Sequence, residues 1–554
     1  MRLPVPARDL AVLALVAAAL RLAIALAAGI DGPLGADMAF WGYAAVVLVK
    51  GGGPLTHPAL MPGLAALVDA LAGTGLLWPQ WILVLVSGIL LAPATALAVA
   101  SLVGEPGGAA AGRLAGALVL LLPATTIASL QVEPAAVELL QVCLMLALAG
   151  RVARVGGLRS ALALGAMGAL AAGTKEGGGV DLLLLALPAV LLRGGPRLRL
   201  ALGVIGGAAL VGLALTVFGH SADPSAPVAG PKAEVPLQDM LAWIGTGAVP
   251  PPLRHPGDPV GALTQAQVQA IAAAGTAGRV VAILRVQAWR LLVLLGPWAL
   301  ATPIVAVALV RRWRQGRLPA ATAGILLGHV LLVAVGLVVV IQGRHAEWLA
   351  MGVVWGLALL LAGRPAWQRG LALGLAAVFG LLSARPERWR LHGLAGQARD
   401  DAAMGSWALA QVPEGARLAS PLHVVGAVTG LPVRQGFDGG DLPEGPVLVL
   451  ARMGQAPSED RDAVPPLWWP LLPLRELDTP TGRYELLASS TFTASGLGRG
   501  VPAVGAAVPR DRLDASGALT VAPEGTPPRP AGRRDGRPRP GSHHAARPAE
   551  PEAP

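Results

Sequence analysis

The sequence predicts a mostly α-helical polytopic membrane protein of about eleven spans, with a small α/β or α+β domain near the C-terminus. The 554-residue chain is 54% hydrophobic and only 14% charged, whereas soluble proteins carry roughly 25% charged residues. The net charge of +10 comes mostly from arginines in short loops and in the final tail. That distribution gives no basic face for nucleic acid. Cys143 is the single cysteine, which excludes an intrachain disulfide and a cysteine metal site.

Apolar runs in the first two thirds of the chain predict the membrane helices. Each run approaches about 20 residues, or is somewhat shorter where two helices pair as a hairpin. The runs lie at 10–30, 80–102, 109–128, 134–150, 160–173, 178–193, 199–218, 288–310, 319–341, 346–363 and 368–384. The first continues through Arg21 without a clear cleavage site, so we interpret it as a retained span. Residues 58–72 predict one more apolar helix, lying shallowly at the interface.

Arginine in alternate loops predicts a cytoplasmic N-terminus. The loops assigned to the inside are richer in positive charge per residue than the outer loops, as the positive-inside rule requires. Their arginines are Arg2, Arg8, Arg113, Arg151, Arg154, Arg159, Arg193, Arg197, Arg199, Arg311, Arg312, Arg314, Arg317, Arg364 and Arg369. Two long loops and everything after the last span then fall on the outer face.

This topology divides the chain into three parts. Residues 1–384 form a transmembrane domain with outer loops at 31–79 and 219–287. Residues 385–504 form a small extracytoplasmic domain, because turn-rich sequence there separates a predicted helix from short strands. The helix is predicted at 400–411 and the strands at 416–419, 424–428 and 447–451. Residues 505–554 are rich in Pro, Arg and Gly without apolar periodicity, which predicts a disordered tail.

The first outer loop holds the sharpest functional candidate. Asp37 opens a short amphipathic segment, and His57-Pro58 begins a new helix after three glycines. An acid at a helix start is often only an N-cap favoured by the helix dipole. The alternative is a carboxylate held at the membrane boundary to take part in a reaction.

Three further charged sites fall at the same outer face. Glu133 and Glu138 lie where the fourth span begins, and their alternative role is capping or interfacial solvation. Lys175 lies beside Glu176 in a tight turn, where the two could simply neutralise one another. Arg344 and His345 lie at the outer end of another span, and a snorkelling arginine is the plain alternative there. Because charge at membrane depth is costly, each site carries a functional hypothesis.

Carboxylates and cations at one membrane face suit transfer of a group from a lipid phosphate. A carboxylate can take the proton from an acceptor hydroxyl. A lysine or arginine can hold the departing phosphate. The acids could equally bind a divalent metal such as Mg²⁺ or Mn²⁺ through oxygen ligands.

These residues carry a resemblance to a known group. The first loop matches its acid, Tyr, Ala, Gly and His-Pro pattern, and two later elements match more weakly. The matching residues are Asp37, Tyr43, Ala44, Gly51, His57, Pro58, Ala59 and Leu60, then Pro123, Ser129 and Glu133, and then Arg344. On that pattern the chain resembles the GT-C superfamily of membrane glycosyltransferases, which includes protein O-mannosyltransferases and aminoarabinose transferases and uses polyprenyl-phosphate-linked sugars.

The resemblance implies roles for the matched residues. Asp37 would be the catalytic base and Glu133 a second acid near the acceptor or a metal. Lys175 and Arg344 would hold the lipid phosphate. The remaining candidates for contact with substrate are Tyr43, His57, Glu138 and His345. Two positions depart from the pattern, because Met38 stands where a second acid is common and Ala59 replaces a proline.

The implied function is transfer of a sugar from a polyprenyl-phosphate donor to a lipid, glycan or protein acceptor on the outer face of a bacterial inner or plasma membrane. One alternative is a transporter, which predicts charged or broken helices at the bilayer midplane and repeat symmetry between halves. Neither midplane charges or helix breaks nor repeat symmetry is clear in the sequence. The other alternative is a non-catalytic scaffold that displays the outer domain. It predicts that Asp37 is dispensable.

Overall fold

The computed structural model describes residues 4–30, 77–104, 107–131, 135–174, 178–192, 197–222, 265–295, 298–339, 343–413, 416–420, 447–452 and 472–488, together with a few isolated helical positions. The chain divides into two compact units, Met1–Val508 and Pro509–Pro554. All of the described residues belong to the first unit, so the fold below is that of the first unit.

The described part of the first unit is mostly helical. Its helices are α1 Ala7–Ala28, α2 Leu77–Val103, α3 Gly108–Leu120, α4 Pro123–Ala128, α5 Ala135–Val155, α6 Leu158–Thr174, α7 Gly178–Leu191, α8 Arg197–Ala222, α9 Gln265–Ala273, α10 Thr276–Leu295, α11 Trp298–Arg314, α12 Ala320–Val339, α13 Gly343–Leu361 and α14 Ala366–Ala410. Four described segments are long and apolar enough to cross a membrane, and they lie in α1, α2, α5 and α8. Six shorter apolar helices accompany them. The chain is an integral membrane protein, while the count of eleven spans stays a prediction.

Two of the predicted runs each overlap two helices of the structure. The run at 109–128 forms α3 and α4, separated at Leu121 and Leu122. Pro123 is the first residue of α4, where its missing N–H group costs nothing, whereas inside a continuous helix it would break a hydrogen bond. The run predicted at 288–310 covers parts of two described helices, since α10 ends at Leu295 and α11 begins at Trp298, and the two residues between them lie outside the described part of the chain. In the run at 109–128 the high hydropathy concealed this proline.

Close helix packing explains several of the glycines in the described helices. A Cβ on Gly165 of α6 would lie 1.9 Å from the carbonyl oxygen of Val204 in α8. A Cβ on Gly207 would lie 2.0 Å from the carbonyl oxygen of Leu162. Both contacts would be clashes with backbone, so only glycine permits this approach. Membrane helices lack a hydrophobic drive to associate in lipid, and small residues let their backbones gain van der Waals contact instead.

The last helix connects the membrane helices to a sheet. α14 is 45 residues long and runs without interruption through the predicted domain boundary after Ala384 and through the helix predicted at 400–411. The buried Met404 and Ala408 near its end pack against the sheet, in a cluster with Leu448 and Tyr484. The Tyr484 hydroxyl donates a hydrogen bond of 2.6 Å to the Asp401 carboxylate on α14.

The sheet has four described strands in the order β1-β2-β4-β3, where β1 is Arg417–Ala419, β2 Val447–Arg452, β3 Leu472–Thr479 and β4 Gly482–Ala488. β1 pairs in parallel with β2, and the other two pairings are antiparallel. The strands predicted at 416–419 and 447–451 are present as β1 and β2, whereas the one predicted at 424–428 lies outside the described residues. Charged and proline residues in β3 and β4 hid those strands from pattern analysis, and strand pairing overrode the weak propensity.

Candidate active site

Hydrogen bonds between distant helices define the two ends of the helix bundle. The Thr322 hydroxyl, near the start of α12, donates to the Leu102 carbonyl at the end of α2 over 3.3 Å. Arg312, near the end of α11, donates to the Leu359 and Leu360 carbonyls at the end of α13 over 2.9 Å each. The ends of α2 and α13 therefore lie at one end of the bundle. Their beginnings lie at the other, which we call the site end.

A buried arginine that the sequence did not single out lies toward the site end. Arg21 belongs to the first apolar helix and is only 3% exposed. Its Nε donates to the Ser129 hydroxyl over 2.7 Å, and its Nη1 donates to the Ala17 carbonyl over 3.1 Å. A charge inside a membrane helix is costly and marks a site by default. That cost was the signal in the sequence, but its partner 108 residues away was not visible there.

Ser129 holds the arginine because α2 leaves room for it. Gly88 of α2 lies so close that a Cβ there would be 2.1 Å from the Ser129 Cβ and 2.8 Å from the Arg21 Nε. About two helical turns earlier, Trp81 donates its indole N–H to the Leu130 carbonyl over 3.1 Å. α2 thus fixes the segment that leads into Glu133 by a hydrogen bond from the Trp81 side chain to the Leu130 carbonyl and by a contact that excludes any side chain at Gly88.

A second buried hydrogen bond joins two more of the segments that carry predicted residues. Glu138 lies in the first turn of α5 and is 5% exposed, and Gln141 lies three residues later in the same helix. The Gln141 amide donates over 2.8 Å to the hydroxyl of Thr174, the last residue of α6. Thr174 directly precedes Lys175 in the chain. The start of α5, with Glu138, is therefore joined to the end of α6, where Lys175 follows.

Most of the predicted site residues lie outside the described part of the chain, namely Asp37, Tyr43, His57, Glu133 and Lys175. Arg344 and His345 lie in the first turn of α13, and the structure describes only their backbone. Among the described residues, no group of three His, Cys, Asp or Glu side chains could hold a metal ion. The two acids named for a metal, Asp37 and Glu133, are not among those residues, so the metal stays a prediction.

Comparison with solved structures finds similar chains among membrane glycosyltransferases. ArnT from Cupriavidus metallidurans bound to undecaprenyl phosphate is 13% identical with a TM-score of 0.42, over 86% of this chain and 97% of that one. The oligosaccharyltransferase AglB from Archaeoglobus fulgidus, with an inhibitory peptide and a dolichol-phosphate, is 12% identical with a TM-score of 0.42, over 80% of this chain and 69% of that one. A complex of the same archaeal enzyme with Zn and sulfate scores 0.41 at 12% identity, over 80% of this chain and 67% of that one.

Both proteins belong to the superfamily that the sequence resembles. Likeness at these scores transfers neither a residue role nor a substrate to this chain. No protein-family model and no curated protein sequence matches it.

Proposed function

We propose that the protein is a membrane glycosyltransferase that moves a sugar from a polyprenyl-phosphate-linked donor to an acceptor on the outer face of a bacterial inner or plasma membrane. One observation carries the proposal: two buried side-chain hydrogen bonds, Arg21 to Ser129 and Gln141 to Thr174, join segments that precede or contain predicted acids and a predicted cation. The first joins the helix before the Asp37 loop to the segment before Glu133. The second joins the start of α5 to the segment before Lys175.

The reaction needs a base, a phosphate site and a path between them. The acceptor hydroxyl oxygen bonds to the anomeric carbon of the sugar while the bond from that carbon to the phosphate oxygen breaks. The acceptor proton passes to a carboxylate, for which we assign Asp37, and such proton transfer contributes about 10²–10⁴ in rate. The negative charge stays on the polyprenyl phosphate, which Lys175 and Arg344 hold through charge-assisted hydrogen bonds.

The other candidates serve the same two substrates. We assign Glu133 to the acceptor or to a divalent metal, and Mg²⁺ or Mn²⁺ would take oxygen ligands from Asp37 and Glu133. Tyr43, His57, Glu138 and His345 are assigned to substrate contact. The acceptor is a lipid, a glycan or a protein, and membrane lipids surround the site. Arg21 is a positioning residue in this scheme, because both of its described bonds go to protein groups.

The test expresses three forms of the full chain at equal levels in a deletion strain: wild type, Asp37→Asn and Asp9→Asn. The deletion strain with an empty vector is the control. Asp9 is the matched acid, since it lies in the first turn of α1, the helix that precedes the Asp37 loop, and forms an ion pair with the exposed Arg113 over 3.2 Å. The readout is mass-spectrometric profiling of glycans and glycolipids. We expect one glycosylated product to be present with wild type and Asp9→Asn, and to be lost with Asp37→Asn.

Two outcomes would count against the proposal. Full product with Asp37→Asn would reduce Asp37 to a helix cap and favour a scaffold or a different base. Accumulation of the donor lipid on one membrane face in the deletion strain, with every glycan unchanged, would favour a transporter. Release of polyprenyl phosphate by the purified protein, measured with and without a chelator, then decides whether a metal takes part.

A further inference from the structure

A pocket of arginines lies at the bundle end opposite the site end. It has a volume of about 620 Å³ and is formed where α11 turns into α12 and where α13 turns into α14. Four guanidinium groups line it, from Arg311, Arg312, Arg317 and Arg364. No Asp or Glu is among the described residues that line it. Four positive charges around one cavity repel each other, and an anion between them would offset that repulsion.

Arg312 is held in place within this pocket. Its two bonds to the Leu359 and Leu360 carbonyls satisfy orphan acceptors at the end of α13, where a cation is favoured by the helix dipole. A guanidinium has five N–H donors, so further donors remain for an anion. Burial first, and then the positive charges of Arg364 and Arg317, lower the pKa of Arg312 from its ordinary value. The neighbouring guanidinium groups are therefore close enough to interact.

The surroundings of the pocket indicate a lipid rather than a soluble anion. Trp313 is 54% exposed and Trp367 is 66% exposed. Trp313 directly follows Arg312, and Trp367 lies three residues after Arg364. Tryptophan is enriched where a membrane meets water, at the depth of the lipid headgroups. Leu360 and Leu361 add an apolar wall to the charged cavity. Basic pockets between membrane helices are suited to anionic headgroups.

We propose that this pocket binds the phosphate of an anionic phospholipid headgroup. The site is separate from the proposed sugar-transfer chemistry. The simpler explanation of the arginines is orientation by the positive-inside rule alone, which needs the charges but no cavity. The two explanations differ in one respect: a binding site loses affinity when its own arginines are removed, whereas equal charge removed elsewhere on the same face has no effect.

The test measures binding of phosphatidylglycerol to the full-length protein by native mass spectrometry, with phosphatidylcholine as the neutral lipid. The pocket variant is Arg317→Gln/Arg364→Gln, which leaves the Arg312 helix contact intact. The control is Arg159→Gln/Arg199→Gln, because both residues are exposed and lie on the same predicted face outside the pocket. We expect the pocket variant to bind phosphatidylglycerol about tenfold more weakly or worse, and the control to stay within about twofold of wild type.

Equal affinity of the pocket variant and the control would overturn the proposal. Inorganic phosphate provides the second arm. If it displaces phosphatidylglycerol at equal concentration, the ligand is a free phosphate and the lipid assignment is wrong. Failure to displace is the expected result. Unfolding of each variant in mixed micelles checks that the chain is intact, and the single variant Arg364→Gln replaces the double variant if that one fails to fold.

Discussion

Replacing Gly88 by alanine tests the contact between α1, α2 and the segment before Glu133. The new Cβ would lie 2.1 Å from the Ser129 Cβ, 2.6 Å from its hydroxyl oxygen and 2.8 Å from the Arg21 Nε. All three distances are too short for non-bonded atoms. Ser129 must therefore move away, and the hydrogen bond that it accepts from the buried Arg21 is lost.

The expected cost has three parts. Overpacking a buried site costs about 1–3 kcal/mol. Losing a hydrogen bond to a charged group costs about 1.5–3 kcal/mol. Alanine recovers about 0.5–1 kcal/mol, because it loses less backbone freedom than glycine on forming a helix. The net loss in free energy of unfolding is about 2–5 kcal/mol.

The assay is reversible unfolding in mixed detergent micelles, followed by circular dichroism. Gly212→Ala in α8 is the matched control, because that position also lies within a membrane helix and a Cβ there meets nothing within 4 Å. We expect Gly212→Ala to be neutral or stabilising by up to about 1 kcal/mol. The double variant Gly88→Ala/Ser129→Gly should lose less than the sum of its single changes, since Ser129→Gly removes two of the colliding atoms. If Gly88→Ala unfolds like Gly212→Ala, the close contact is refuted.

Three further predictions concern the second buried hydrogen bond and the sheet. Gln141→Leu should cost about 0.6–2 kcal/mol in mixed-micelle unfolding and should lower turnover, because α5 is released from Thr174; unchanged stability would contradict this. Tyr484→Phe should lower the free energy of unfolding by about 1.5–3 kcal/mol, since a buried carboxylate loses a donor, and an equally stable variant would count against it. The Asp478 carboxylate raises the pKa of Arg483 above its ordinary value. Any stability that this ion pair contributes is therefore fully present below the ordinary pKa of arginine, and it is lost only as pH rises through the higher pKa of the folded state. The difference in stability between wild type and Arg483→Gln should therefore be the same from about pH 6 to 9 and close to zero, as expected for an exposed ion pair; a difference that changes over this range would refute it.

Hydropathy predicted most of the helices because a membrane helix makes all of its backbone hydrogen bonds internally. Its length and apolar composition are therefore visible in the sequence alone. The runs that became α1, α2, α5 and α8 were all placed within a few residues of their observed bounds. The prediction of one helix at 109–128 was wrong because it joined α3 and α4 across Pro123. Proline removes a backbone donor, yet a single proline leaves such a run strongly apolar.

The candidate site was predicted as a set of segments rather than as a geometry. Charge at the helix ends marked Glu138 and the neighbourhoods of Lys175 and Arg344, since such residues are costly near lipid. The sequence could not indicate that Gln141 reaches Thr174, because side-chain pairing between helices depends on their rotation and depth. The same limit applies to Arg21, whose cost was visible and whose partner was not.

By itself the sequence determined the membrane class, the helix order and a resemblance to lipid-dependent glycosyltransferases, since each of these depends on local composition and spacing. Tertiary structure alone decided three things: the Arg21–Ser129 contact across 108 residues, the arginine pocket built from two turns, and the strand order β1-β2-β4-β3. All three depend on which residues distant in sequence are packed side by side. Packing of that kind is set by the shape of whole helices and strands, through glycines and buried polar groups that have no periodic signature.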